Sequence, residues 1–466
     1  MMTFPWDKTL SIPVADIGLC MFERYEDARY HRFHPVYFEA GARNPLATIR
    51  ADSITEAGYT FFPLNAIGDG METFAIRGAT KRAFVSSNRD DRDLHHGRYS
   101  ITRQSGQSGI VLDGLTDCVF DGLSFMGSDD FAGDTGGIVI RNCKRLFFRD
   151  CWARRFRVGW SIENSEDIFI QHALTTECLL RDPAHHAQGL WMRNSSVTMW
   201  DSAFIDCGSS ETHAIPNSKF RHSCYCSEGS VIDFRGCITI DSSSHGVQAR
   251  GPRSVIRDHI SLGDAVGIEV GNDDPKSVDG VQVRPVPGGV VSRIENAYCQ
   301  GARDIVTATT STPVAWGFKA RNIKEGHWRR LCVVDHASKG SARGLIIDGA
   351  TNAGSCGVKG LDVDQVYSRN GGRLQVIPGV LQNVKVSKAD FPRWPIGPNQ
   401  TALYEVMPGP GDNKIDFTAS AYGARFIRPL DKAAIREALL TRPRGVSTNA
   451  TDAAVLITQA MEWGAP

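Results

Sequence analysis

Two histidines, a tyrosine and an arginine recur at one phase of this sequence. His222 and Tyr225 stand three residues apart, as do His245 and Gln248. The second pair follows the first by 23 residues, with Arg250 two places on. Histidine and tyrosine exchange protons with a reacting centre. An arginine set against a carboxylate stabilises charge that develops on the neighbouring carbon. Combined, these groups suit removal of the proton beside a uronic-acid carboxylate and departure of the linked oxygen, which is cleavage of an acidic polysaccharide by β-elimination. Tyr225, His222, His245 and Arg250 are the catalytic candidates. Arg193, Trp191, Gln248, Arg141, Glu163, His213 and Lys219 are candidates for holding the substrate, the arginines by its carboxylates and the tryptophan by stacking on a sugar ring. A C5-epimerase would need the same groups.

Such residues meet only if the chain returns them to one place, and the chain repeats. Six short runs open on Gly137, Gly159, Gly189, Ser223, Gly246 and Gly267, at intervals of 22, 30, 34, 23 and 21 residues. Their second and fourth members are Ile/Ile, Trp/Ile, Leu/Met, Cys/Cys, Val/Ala and Ile/Val. Strand side chains alternate between faces, so these members share an inward face, with Cys224 and Cys226 in the core. The third and fifth members, Arg141, Glu163, Trp191, Arg193, Tyr225, Gln248, Arg250 and Glu269 among them, face outward. A second strand follows each first one, as in Arg145–Phe148 and Val231–Phe234, and short third runs such as Ile238–Ile240 complete a coil. Three short strands per unit of about 22 residues is the pattern of a parallel β-solenoid. The period of two excludes helical repeats. His222 and His245 both precede the glycine position, so they belong on neighbouring coils about 5 Å apart.

The coils resemble those of the pectate-lyase-like right-handed parallel β-helix superfamily, which includes polysaccharide lyases, uronan epimerases, glycoside hydrolases and phage tailspikes. Arg221-His222-Ser223-Cys224-Tyr225 followed by Ser244-His245-Gly246-Val247-Gln248-Ala249-Arg250 is similar to paired coils of bacterial lyase-like members. The resemblance implies an all-β, right-handed parallel β-helix of about 10–12 coils over residues 76–395. An irregular, aromatic-rich segment, 1–75, is expected to cap one end. A C-terminal extension, 396–466, carries two short helices at 431–442 and 449–462, which cap or flank the other.

The longer repeat intervals hold insertions at 128–136, 179–188 and 209–222, all just before a first strand. Insertions at one phase of a solenoid stand side by side, so they are expected to wall the outward face of the first-strand sheet into a groove. The last of them carries His213 and Lys219. Asp129, Asp130 and Asp134 in the first offer hard oxygen ligands that suit Ca²⁺. No other metal and no organic cofactor is expected.

Composition limits the alternatives. Lys+Arg and Asp+Glu both number 52, which disfavours a nucleic-acid partner, since counterion displacement needs surplus positive charge. The cations are lopsided, with 39 Arg against 13 Lys, and the planar arginine fork fits carboxylates. No run approaches the about 20 apolar residues that cross a bilayer, so no membrane partner is expected. The first residues lack the basic head and apolar run of a secretory signal, which leaves a place inside the cell, export in a virion, or a signal ahead of this sequence. A monomer or a homotrimer suits a solenoid with exposed coil faces. Two further readings compete: a glycoside hydrolase with two carboxylates, drawn from Asp129, Asp130, Glu163, Asp182 and Glu211, and a tailspike-like rod that grips polysaccharide without cutting it.

Overall fold

In the computed structural model the repeats wind into a right-handed parallel β-helix. The structure describes residues 108–462 apart from short loop stretches such as 209–214 and 272–275, and within residues 54–102 the course of five strands. One sheet of 12 strands takes the first strand of each coil. A sheet of 22 strands takes the second and third. The first-strand sheet stacks Gly136–Arg141, Val158–Glu163, Ala187–Arg193, Arg221–Cys226, His245–Ala249 and Val266–Val270 in that order.

The recurring glycine has a steric cause. At Gly189 a Cβ atom would lie 2.6 Å from the Ser223 carbonyl oxygen of the next coil, 2.6 Å from the Phe204 ring and 2.9 Å from Cys207 Sγ. First and third strands pinch together there, and a side chain does not fit without displacing backbone. The corners have a conformational cause. The turn from second to third strand places Asp150, His172, Asp201, Gly236, Asp258 and Asn296 in the left-handed region, with φ from 49° to 64°. Gly, Asn and Asp adopt that region at the least cost. Between the corners the inward residues form one core of stacked columns, in which Phe120 and Phe148 lie 4.7 Å apart. Cys224 and Cys226 are buried in it, as alternation requires.

Two features differ from the sequence-based expectation. Second and third strands fuse into single long strands at Arg253–Leu262, Val290–Gln300 and Ile323–Val334, because pairing continues on both sides of the corner residue. Parallel pairing also runs past both ends of the 76–395 span, to Tyr59–Pro63 and to Asp416–Ala419. The flanking coils lack the regular glycine period that makes the central ones legible. The rest of the proposed 1–75 cap lies outside the described residues.

The two helices flank the rod. Helix α1, Lys432–Thr441, and helix α2, Ala453–Ala460, each start on an aspartate that accepts a hydrogen bond from the first turn. Ile435, Leu439, Leu456 and Ile457 cover an apolar stripe formed by Leu174, Ile205, Ile240, Leu262 and Tyr298 of successive third strands. Helix α1 runs back down the rod. Gln300 bonds the backbone of Leu430, Lys432 pairs with Asp241, Arg436 pairs with Asp206, and Arg442 donates to the His172 and Ala173 carbonyls.

Candidate active site

The outward face of the first-strand sheet carries ladders of side chains set by register. Trp191 lies beside Tyr225, Tyr225 beside Gln248, Gln248 beside Glu269, and Glu269 beside Lys319. His222 and His245 occupy one adjacent column, next to Gln188 and Val266. Each step of a ladder is about 5 Å, so residues 20 to 50 apart in sequence touch.

Hydrogen bonds join the histidines into a string. His245 Nε2 lies 2.7 Å from Glu269 Oε2, so this nitrogen carries a proton toward the carboxylate. His245 Nδ1 lies 3.1 Å from His222 Nδ1 and 2.8 Å from Ser244 Oγ. In the neutral tautomer that Glu269 selects, His245 Nδ1 accepts and His222 Nδ1 donates. The lone pair of His222 then resides on Nε2, to which no described residue bonds. The His222 ring stacks on Tyr225 at 5.2 Å and 18°. Arg250 Nη1 donates to Tyr225 Oη at 3.1 Å, with its guanidinium 5.3 Å from the ring centre.

Four sequence-based catalytic candidates, His222, Tyr225, His245 and Arg250, are thus in one cluster. Their exposure departs from the open groove expected for them. His222 and Tyr225 are only 4% and 3% exposed, and Gln248 is buried as well. Phe131, Leu179 and Ile215, one from each of the three insertions, pack into a buried cluster of their own, which sets the insertions side by side. Arg221, absent from the sequence-based candidates, is fully buried and holds this wall with bonds to the Gly208 and Asp182 carbonyls.

Burial sets the protonation states. It holds the His222 imidazole well below its ordinary range, helped by the charge of Arg250, so His222 is neutral near pH 7. Burial also raises the Tyr225 phenol above its ordinary value and outweighs Arg250, so its proton is retained. For Glu269 burial alone would favour the acid. The Arg321 guanidinium, the hydrogen bond from His245, and Arg250 outweigh it and keep the carboxyl well below the usual range. Nε of Arg250, Nε of Arg193 and Oε1 of Gln248 are buried without a partner among the described residues. Buried polar atoms are normally paired, so these three are hydrogen-bonding groups left over at the cluster.

The remaining candidates fall at different distances from the cluster. Trp191 is half-buried beside Tyr225. Arg193 pairs with Glu163 at 2.8 Å on the coils above. Arg141 is exposed one coil further away. His213, Lys219, Glu211, Asp129, Asp130 and Asp134 lie outside the described residues. Among the described residues no group of three or more His, Cys, Asp or Glu side chains is arranged to hold a metal ion. Asp182 is bonded to His185 at the surface. A cavity of about 620 Å³ lies away from the cluster, against the two helices, lined by Leu430, Ile435 and Leu456 among others.

Arg321, Lys319 and Asp348 are absent from the sequence-based candidates, and Glu269 had been placed on the face without a role. Arg321 Nε lies 3.2 Å from Glu269 and its Nη2 3.3 Å from Asp348, which Lys319 also approaches at 3.3 Å. The signal was available, since Lys319 and Arg321 are the third and fifth members of the run that opens on Gly317. The 44 residues between Val270 and Ala315 hide it, because they hold two hairpins, Lys276–Val283 and Ile305–Thr312, that break the period.

No protein-family model matches the chain, and no curated protein matches it. Among solved structures the chain is similar to the catalytic domain of a GH87 alpha-1,3-glucanase in complex with tetrasaccharides. The identity is 10% and the TM-score 0.31, over 76% of this chain and 65% of that one. No residue is carried over from that likeness.

Proposed function

We propose that this protein degrades polysaccharide, as a lyase that cleaves an acidic, uronic-acid-containing polymer by β-elimination. The observation that carries the reading is the string Glu269–His245–His222 lying against the Tyr225–Arg250 pair, with three unpartnered polar atoms beside it. Arg250 and Arg193 face the uronate carboxylate. His222 Nε2 takes the proton from the adjacent carbon. The released electron pair forms the carbon–carbon double bond as the glycosidic carbon–oxygen bond breaks. Tyr225 gives its proton to the departing oxygen, and Arg250 stabilises the phenolate that remains. After the product leaves, solvent takes the proton from His222 and reprotonates the Tyr225 phenolate. His245 and Glu269 act through His222 and position it. Gln248 orients a sugar hydroxyl through its unpaired oxygen.

The test is a screen of acidic polysaccharides read at the near-ultraviolet absorbance of the unsaturated product. Tyr225→Phe is expected to lower turnover by about 100-fold or more, the scale of a lost general acid, with the fold and substrate affinity retained. Full activity in that variant removes the mechanism.

A hydrolase reading has one observation in its favour. Glu269 and Asp348 grip two nitrogens of Arg321, and burial raises the Asp348 carboxyl while Glu269 is held low. Carboxyls pushed apart in this way suit acid and base roles. New reducing ends without the unsaturated absorbance would select that reading.

A further inference from the structure

The outward face is open on one side of the cluster and shut on the other. On the coils before it, the Glu163 and Arg193 side chains are each 26% exposed, and Arg141 is exposed beyond them. At the cluster His245 is 12% exposed, and His222, Tyr225 and Gln248 are buried. On the coils after it Arg321 keeps 15% exposure, and Asp348 and Lys319 fall to 5% and 4%. There the outward positions are filled from within the protein. Glu269, Arg321, Asp348 and Lys319 bond one another, Lys319 lies 4.8 Å from the Trp316 ring centre, and Ile346 is buried on the next coil. Gln375, a further coil on, and Arg343 are both committed to Glu405. A polysaccharide following the sheet past Glu269 would have to break this closed set of ion pairs. Breaking a buried pair leaves a charge without a partner and is strongly unfavourable.

We infer that the cleft is blind. It takes a chain end, with the terminal sugar against Gln248 and the following sugars toward Trp191, Arg193, Glu163 and Arg141, so the protein acts on polymer ends and not on internal linkages. This rests on the acidic-polysaccharide reading and adds the mode of attack to it.

Two measurements on the full chain test it. With an active substrate, unsaturated mono- or disaccharide is expected from the earliest time points while the viscosity of the polymer falls slowly. A rapid fall in viscosity with a ladder of long products overturns the blind cleft and leaves the lyase reading standing. The Tyr225→Phe variant is then titrated with size-fractionated oligogalacturonate and oligoalginate. One protein per sugar chain is expected at every chain length. Several proteins per long chain overturns the inference. Binding of neither fraction removes the acidic-polysaccharide reading, and this inference with it. In the open direction, Arg141→Ala is expected to weaken oligosaccharides several sugars long about three- to tenfold and to leave the shortest bound oligomer unchanged. No loss at any length places Arg141 outside the bound chain, an equal loss at every length places it at the terminal sugar, and either counts against the assigned direction.

Discussion

His222 and Tyr225 show how a fold prepares a pair of side chains for proton exchange. Each is an ordinary titrating group that burial drives toward its neutral form, from opposite sides of neutrality. Folded His222 titrates well below the about 6.5 of free histidine, and folded Tyr225 above the about 10 of free tyrosine. The active pair, neutral His222 with protonated Tyr225, therefore persists across the whole interval between those values. Turnover under saturating substrate is expected to stay flat from about pH 7 to about pH 9. A bell centred near pH 7 in that profile would contradict the assignment. Glu269 selects the His245 tautomer, and through it the free nitrogen of His222. Glu269→Gln replaces an acceptor-only carboxylate with a group that can also donate, and it leaves Arg321 with one charged partner fewer. The expected outcome is a 10- to 100-fold loss of turnover with little change in KM, on the scale of general acid–base effects. Steady-state kinetics of the two variants separate a positioning group from one that contacts substrate.

At the scale of the strand, the glycine position sets how closely consecutive coils approach. Gly189 sits where the first strand touches the Phe204 ring, the Cys207 thiol and the Ser223 carbonyl of the following coil. A methyl group there has no space without moving backbone, and the backbone it meets belongs to the strand that carries His222 and Tyr225. Gly189→Ala is expected to cost about 1–3 kcal/mol, the range for overpacking a filled site. It should also lower turnover by displacing that strand. Urea unfolding measures the first effect, and activity at fixed folded fraction the second. The alternating members of each run are readable because strand periodicity is a local property. The insertions are readable as insertions because they lengthen the repeat. What they cover is not readable, since Phe131, Leu179 and Ile215 meet only after three coils have stacked.

Over the whole molecule, burial of neutral histidines ties stability to pH. Burial holds His222 neutral beside Tyr225, and it lowers His259 to about 3 and His336 to about 4. In the unfolded chain the same residues titrate at about 6.5. The folded pKa is the lower one, so between the two values the unfolded state binds more protons. Stability is then complete above about pH 6.5 and falls as the pH drops toward the folded values. Each such histidine removes about 1.4 kcal/mol per pH unit in that window. The urea midpoint is expected to decline steadily from pH 6.5 to pH 5, and His259→Leu should make the decline shallower. A midpoint that holds level over that range would show that these groups are protonated or exposed in the folded protein.

The run of alternating apolar residues and the recurring glycine determined the coil, its inward face and the neighbourhood of His222, Tyr225, His245, Gln248 and Arg250. Both are short-range patterns, and a parallel ladder converts equal spacing in sequence into contact in space. Three things were decided only by the tertiary structure. Tyr225 and His222 are buried, and burial fixes their protonation. The hairpins after Val270 separate Arg321 from Glu269 in sequence while the sheet sets them side by side. The last helices lie along the flank of the rod, where an apolar stripe from successive third strands is waiting for them. In each case the deciding contact joins segments whose separation follows no period, and a repeat can be read only where its period holds.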